Sequence, residues 1–157
     1  MQSISDDFRP HAMARAEGLA LGLCLWLTAV LHNRNGHYGE ALTPAQEGCG
    51  YQDVMAYGRA LVELIQAGAR ANRPGATAAA LDRLSERTQA RGTEWALGIE
   101  AGPRALLSEG EAAESLDREA MQWLTRSRAV VHLTRARLRY GEWLRREPVA
   151  HGAGVGE

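Results

Sequence analysis

The chain has no lysine: all 18 of its basic residues, among 157, are arginines. Without lysine there is no P-loop lysine to bind a nucleotide phosphate and no amine to form a Schiff base with a carbonyl substrate. The net charge of −1 likewise provides no long-range attraction to nucleic acid or to an acidic membrane surface. These absences argue against P-loop nucleotide hydrolases, Schiff-base enzymes and strongly basic nucleic-acid binders.

Cysteine is also scarce, since Cys24 and Cys49 are the only two. Two cysteines do not make the disulfide framework of a small secreted protein, so we expect a reducing, cytoplasmic location. Cys24 lies in an apolar run and is predicted to be buried, whereas Cys49 lies in a loop between two glycines. His32 and His37 are five residues apart across a turn and are predicted to be solvated, because no histidine has zinc-finger or HExxH spacing. We therefore expect no metal, no cofactor and no catalytic residue.

Strand signals are missing as well, because no segment sustains the alternation of apolar and polar residues that a half-buried strand requires. The apolar pattern instead predicts an all-α protein of about seven helices. The run from Gly18 to Leu31 is short of the ~20 residues that a membrane span needs, so we expect a buried helix there and no membrane partner. The predicted domain covers residues 10–147, between a flexible N-terminus at 1–9 and a Gly-rich disordered tail at 148–157.

Three turns give this helical region an internal repeat. Their glycines, Gly36, Gly75 and Gly110, are 39 and 35 residues apart, and small residues recur at fixed distances on either side. Those residues are Ala29, Gly68 and Pro103 before the glycines, and Ala41, Ala80 and Ser115 after them. Small contact residues and a period near 34 are typical of tetratricopeptide repeats, so we predict antiparallel helical hairpins stacked as a short tetratricopeptide-like α-solenoid. The alternative is an unrelated helical bundle.

The clearest of these hairpins spans residues 93–124, with a tight turn at residues 108–111. Further helices are predicted over residues 53–72, 77–91 and 129–147. Two prolines fall inside predicted helices, Pro44 and Pro103, and we expect them to kink or limit those helices because proline cannot donate the backbone hydrogen bond.

Repeat register predicts a concave groove that binds a protein or a small effector. The six candidate residues lie at comparable distances before the turn glycines and are Trp26, Asn33, Ile65, Asn72, Glu100 and Arg104. The last helix has no following partner helix, so we also expect self-association through Trp143 and Leu144.

Two other functions are open at this stage. A DNA-contacting fragment would use arginines of the last helix: Arg135, Arg137, Arg139 and Arg145. An enzyme of unrecognised type on a helical bundle is the remaining possibility. We do not expect this chain to bind nucleic acid by itself, because those arginines are dispersed around the helix and no two-helix recognition motif surrounds them.

Several stretches resemble the helical-repeat region of large ATP-dependent LuxR-type transcriptional regulators. They are TEWALGIEA at residues 93–101, RALLSEGEAAESLDREA at 104–120 and RARLRYGEWLRRE at 135–147, with a looser likeness at 17–42. The resemblance implies a non-catalytic array that receives effectors, normally between a P-loop ATPase and a helix-turn-helix. Neither flanking module is in this sequence, so the resemblance implies neither ATP hydrolysis nor DNA binding here.

Overall fold

The computed structural model describes residues 3–51 and 57–146, with side chains from residue 14 onward. This part of the chain is all-helical and contains seven helices and no strand, as the sequence predicts. The helices are α1 (Ser3–Arg34), α2 (Tyr38–Gly48), α3 (Tyr57–Arg70), α4 (Pro74–Arg91), α5 (Glu94–Leu106), α6 (Gly110–Arg126) and α7 (Val130–Arg146). The predicted start of the third helix, the predicted end of the last helix and the Gly-rich tail lie outside the described residues.

The chain forms two compact units, residues 1–84 and residues 85–157. In unit 1, α1 contacts both α2 and α3, and α2 contacts α3. Its core is built from alanines and a few larger aliphatic side chains, of which Leu61 and Ile65 are fully buried. In unit 2, α6 contacts both α5 and α7.

Small residues let the helices approach one another closely in both units. A Cβ atom on Gly68 of α3 would collide with the hydroxyl of Thr77 in α4. A Cβ on Gly98 of α5 would lie 2.7 Å from Cγ of Leu124 in α6, which is too close for a real contact. The predicted small contact residues Ala29, Ala41 and Ala80 are buried, but Ser115 is exposed and Ala113 is buried in its place.

The helix ends show that the three turn glycines of the predicted repeat are not at equivalent positions. Gly36, Asn72 and Arg128 each follow a helix in the left-handed conformation, with φ of 78°, 55° and 55°. In each case the next residue donates a backbone hydrogen bond to the carbonyl five positions back. Gly75 instead lies in the first turn of α4, and Gly110 is the first residue of α6. The residue equivalent to Gly36 is therefore Asn72, since asparagine also tolerates this conformation.

Neither internal proline ends its helix. Pro44 lies inside α2, which continues to Gly48, and Pro103 lies inside α5, which continues to Leu106. Each proline removes one backbone donor from its helix. Pro103 is buried, so its ring also contributes apolar packing in unit 2.

The prediction that the first apolar helix is buried is wrong. α1 begins at Ser3 rather than at Pro10, and much of its apolar surface faces solvent: Leu21, Leu27 and Leu31 are 51–60% exposed. Cys24, predicted to be buried, is exposed on the same helix. Ala14–Arg34 is long and apolar enough to cross a bilayer by length and composition, which is weak evidence because the core helix of a soluble protein or a signal sequence also meets this criterion.

Candidate functional site

The six predicted groove residues differ in their exposure. Asn33, Ile65 and Glu100 are buried, at 3%, 0% and 5% exposure. Trp26 is half-buried, and Asn72 and Arg104 are exposed. The first four in the chain belong to unit 1, and Glu100 and Arg104 belong to unit 2. The buried three make internal contacts, so Trp26, Asn72 and Arg104 are the members of this set that a partner could reach in the described structure.

Asn33 joins the end of α1 to α3. Its side-chain amide donates one hydrogen bond of 3.0 Å to the backbone carbonyl of Glu63 and another of 2.9 Å to Oε2 of the same residue. Asn33 and Glu63 are both nearly fully buried. The two bonds from the amide nitrogen hold one register between these helices, so the role of Asn33 in this structure is internal.

Trp26 and Arg59 form a second contact between α1 and α3. The guanidinium carbon of Arg59 lies 5.0 Å from the centre of the indole ring, which is the geometry of a cation–π interaction. The indole nitrogen of Trp26 is buried and donates no hydrogen bond within the described structure. Trp26 therefore acts mainly as a packing residue with one covered polar atom.

Glu100 is the corresponding internal anchor in unit 2. Its carboxylate accepts a hydrogen bond of 2.7 Å from the Ser85 hydroxyl and a short one from the Thr88 hydroxyl. These bonds connect the last turns of α4 to α5. A carboxylate buried in this way is held by its donors rather than presented to a ligand.

The ion pair between Arg139 of α7 and Asp117 of α6 is a further anchor, which sequence reasoning did not identify. Nε of Arg139 donates a hydrogen bond of 2.7 Å to Oδ1 of Asp117, whose side chain is 3% exposed. Gly102 of α5 leaves room for the guanidinium in this position, because a Cβ there would lie 2.6 Å from Nη1 of Arg139. Burial raises the pKa of Asp117, although the nearby Arg139 charge and its hydrogen bond lower it.

This ion pair reduces the set of arginines available to a nucleic acid. Arg139 is committed to Asp117, and Arg135 is half-buried with a partner of its own. Arg137 and Arg145 are the exposed members of the four predicted DNA contacts.

The outer side of α7 presents an uncovered apolar surface. The exposed fractions of Val130, Val131, Leu138 and Leu144 are 70%, 71%, 58% and 49%. Only Ala136 of this helix is buried. Exposed basic residues lie on the same helix, namely Arg137, Arg145 and Arg146. We call these seven residues the α7 surface.

Trp143 was predicted to lie with Leu144 on the open side of the last helix, but it is not part of the α7 surface. It is half-buried, and its ring stacks on Tyr140 with centroids 5.9 Å apart and an interplanar angle of 8°. Tyr140 in turn donates a hydrogen bond of 3.0 Å to Glu114 of α6. Leu144, by contrast, is exposed as predicted.

Cys49 has the wrong environment for a nucleophile. It follows α2, is buried, and its pKa is raised to about 11 because burial disfavours the thiolate, an effect that the charge of Arg83 partly offsets. The thiol is therefore protonated at neutral pH.

The turn between α1 and α2 brings together His32, His37 and Glu40. Their ligand atoms all lie within 4.8 Å of one another. The two histidines were predicted to be solvated, and His37 is exposed while His32 is half-buried. Within the described residues both also lie close to one carboxylate, that of Glu40.

Comparisons with known proteins leave the chain without an assigned family. No family model matches the sequence. No curated protein matches it, and no solved structure matches its fold.

Proposed function

We propose that this chain is a non-catalytic helical interaction module whose α7 surface binds an acidic, amphipathic helix of a partner protein. The observation that supports this most directly is the exposure of four large apolar side chains on one helix, at 49–71%. Large apolar side chains exposed together on one helix are typical of docking sites. A helix that lies against such a surface contributes apolar residues at i, i+3, i+4 and i+7.

The charges beside the apolar side chains determine the chemistry of the partner. Arg137, Arg145 and Arg146 are exposed on α7, and Glu142 is its single acidic residue. Arginine is enriched in protein interfaces, and complementary charge speeds association and favours the correct partner. A second copy of α7 would bring arginines against arginines, so charge disfavours the self-association that the sequence predicts through Trp143 and Leu144.

The setting of this module is also part of the proposal. The likeness of residues 93–101, 104–120 and 135–147 to LuxR-type regulators suggests a role in transcription regulation in the cytoplasm. Binding of a protein or small effector would be the input. A tetratricopeptide-like repeat array would suit that role. Within unit 1 the contact of α1 with α3 and the shared left-handed ends of these helices are consistent with it.

Fluorescence anisotropy with a labelled amphipathic peptide tests the proposal. The probe carries leucines at helical spacing with glutamates between them, and the matched peptide carries glutamines in place of the glutamates. We expect the full chain to bind the acidic peptide at least tenfold more tightly. Leu138→Glu should weaken that binding at least tenfold, because it puts a like charge at the centre of the surface.

Leu27→Glu on α1 is the matched control, since Leu27 is 54% exposed and lies in unit 1. Equal binding of the two peptides, or equal effects of the two variants, would refute the proposal. Sedimentation of the chain alone tests for self-association, and a titration with duplex DNA at low salt tests for nucleic-acid binding. A dimer lost in Leu144→Glu would favour self-association, and a DNA complex that dissociates as salt rises would favour the nucleic-acid alternative.

A further inference from the structure

Two histidines and a glutamate, side-chain types that can bind a metal ion, lie close together where α1 passes into α2. His32 lies in the last turn of α1, His37 is the N-cap residue of α2, and Glu40 lies in the first turn of α2. Nδ1 of His32 and Nδ1 of His37 are each 3.2 Å from the same oxygen, Oε2 of Glu40. The site belongs to unit 1 and is independent of the α7 surface.

The backbone of the turn holds the three residues in place. Gly36 takes the left-handed conformation, and the N–H of His37 then donates a hydrogen bond of 2.9 Å to the carbonyl of His32. The N–H of Glu40 donates a bond of 3.1 Å to the carbonyl of His37. The His37 side chain caps no backbone N–H of α2, so it is not needed to start that helix.

The spacing fits a transition-metal ion. Zn²⁺ binds histidine nitrogen and carboxylate oxygen at about 2.0–2.2 Å with tetrahedral geometry, which places neighbouring ligand atoms about 3.3 Å apart. The two N···O separations of 3.2 Å match this value. All three ligand atoms lie within 4.8 Å of one another, so a small rotation of the exposed His37 ring completes the spacing. Two histidines and one carboxylate form a ligand set known for Zn²⁺, whereas Mg²⁺ and Ca²⁺ prefer oxygen ligands alone.

We propose that His32, His37 and Glu40 bind one Zn²⁺ ion that links the end of α1 to the start of α2. The side chains of His37 and Glu40 are 58% and 66% exposed, so water reaches the site and supplies the remaining ligand. The ligands come together only when both helices and their turn are formed. Binding therefore stabilises the folded chain relative to the unfolded chain.

Isothermal titration of the full, tag-free chain with Zn²⁺ after treatment with a chelator tests this site. We expect one ion per chain and a melting temperature that rises with Zn²⁺ concentration, with no such rise in Mg²⁺. Co²⁺ should give the visible absorption of a tetrahedral nitrogen–oxygen site. His37→Gln and Glu40→Gln should each weaken Zn²⁺ binding at least tenfold.

Both substituted side chains are mainly exposed, so the metal-free melting temperature should stay within about one degree of the parent. His132→Gln in unit 2 is the matched control and should leave Zn²⁺ binding unchanged. The proposal is wrong if titration with Zn²⁺ up to about 100 μM shows no binding. It is also wrong if His37→Gln and Glu40→Gln bind as the parent does, because the histidines and Glu40 would then form hydrogen bonds only.

Discussion

α1 and α7 each pack along one side and expose apolar residues along the other, but they differ in how the packed side is held. α1 is joined to α3 by hydrogen bonds from the neutral side chain of Asn33. α7 buries only Ala136 and is joined to α6 by the ion pair of Arg139 with Asp117 and by the Tyr140–Glu114 bond. The attachment of α7 thus depends on polar contacts more than that of α1.

The exposed sides differ as well. Between Glu17 and Arg34, α1 contains no acidic or basic residue apart from His32, so its exposed leucines form an uncharged stripe. The exposed leucines and valines of α7 share their helix with exposed arginines. Exposed apolar side chains indicate that a surface can bind a partner, and the charges beside them indicate which kind of partner it binds. Of the two helices, only α7 has such charges beside its exposed apolar residues.

The largest expected effect comes from breaking the anchor of α7. Arg139→Met leaves Asp117 buried without its cation, and removing one partner of a buried pair costs about 3 kcal/mol or more. The free energy of unfolding, measured with urea by circular dichroism, should fall by about that amount. Arg137→Met on the exposed side of the same helix should change it by less than about 0.5 kcal/mol. Similar losses in both variants would show that the ion pair does not hold α7.

A smaller effect is expected for the anchor of α1. Asn33→Ala removes two hydrogen bonds to Glu63, and lost bonds to a buried polar group cost about 1–3 kcal/mol. Urea unfolding should therefore show a smaller loss than for Arg139→Met. Asn35→Ala, at an exposed position two residues on, serves as the control. A loss in Asn33→Ala that equals or exceeds the loss in Arg139→Met would reverse the comparison between the two helices.

Chemical labelling of the two cysteines tests the exposure of α1 without a substitution that alters the stability of the chain. Cys24 is exposed on the apolar stripe, whereas Cys49 is buried and has a pKa raised to about 11. At pH 8 iodoacetamide should therefore label Cys24 at least tenfold faster than Cys49, because the reactive species is the thiolate. Peptide mass spectrometry measures both rates in one sample. Rapid labelling of Cys49 and protection of Cys24 would show that α1 is covered as the sequence predicts.

Local sequence signals predict much of the fold. Helical periodicity and turn residues place α5 and α6 close to their observed bounds, and Thr93 caps α5 by accepting a hydrogen bond of 3.2 Å from the N–H of Ala96. Glu114 and Arg118 form an i,i+4 ion pair of 2.7 Å on α6. These features depend on residues within four positions of one another, which the sequence shows directly.

Features that depend on distant residues could not be predicted in this way. Asn33 was predicted to line a groove, and its actual partner, Glu63, lies thirty residues away. A helix that is apolar on every side does not reveal which side will be covered, so the exposure of Cys24 was missed. The ion pair of Asp117 with Arg139, 22 residues apart, likewise requires the helices to be placed first. The convergence of two histidines on Glu40 is local, but it depends on the turn geometry between α1 and α2, which the sequence does not show directly.

Hydrogen–deuterium exchange of the full chain, with and without the acidic amphipathic peptide, tests the central claim most directly. The peptide should slow exchange of the backbone amides of α7, Val130–Arg146, and leave those of α1 unchanged. The glutamine-substituted peptide should give weaker protection at the same concentration. Protection of α1 instead of α7, or equal protection by both peptides, would contradict the assignment of the α7 surface as the binding site for an acidic helix.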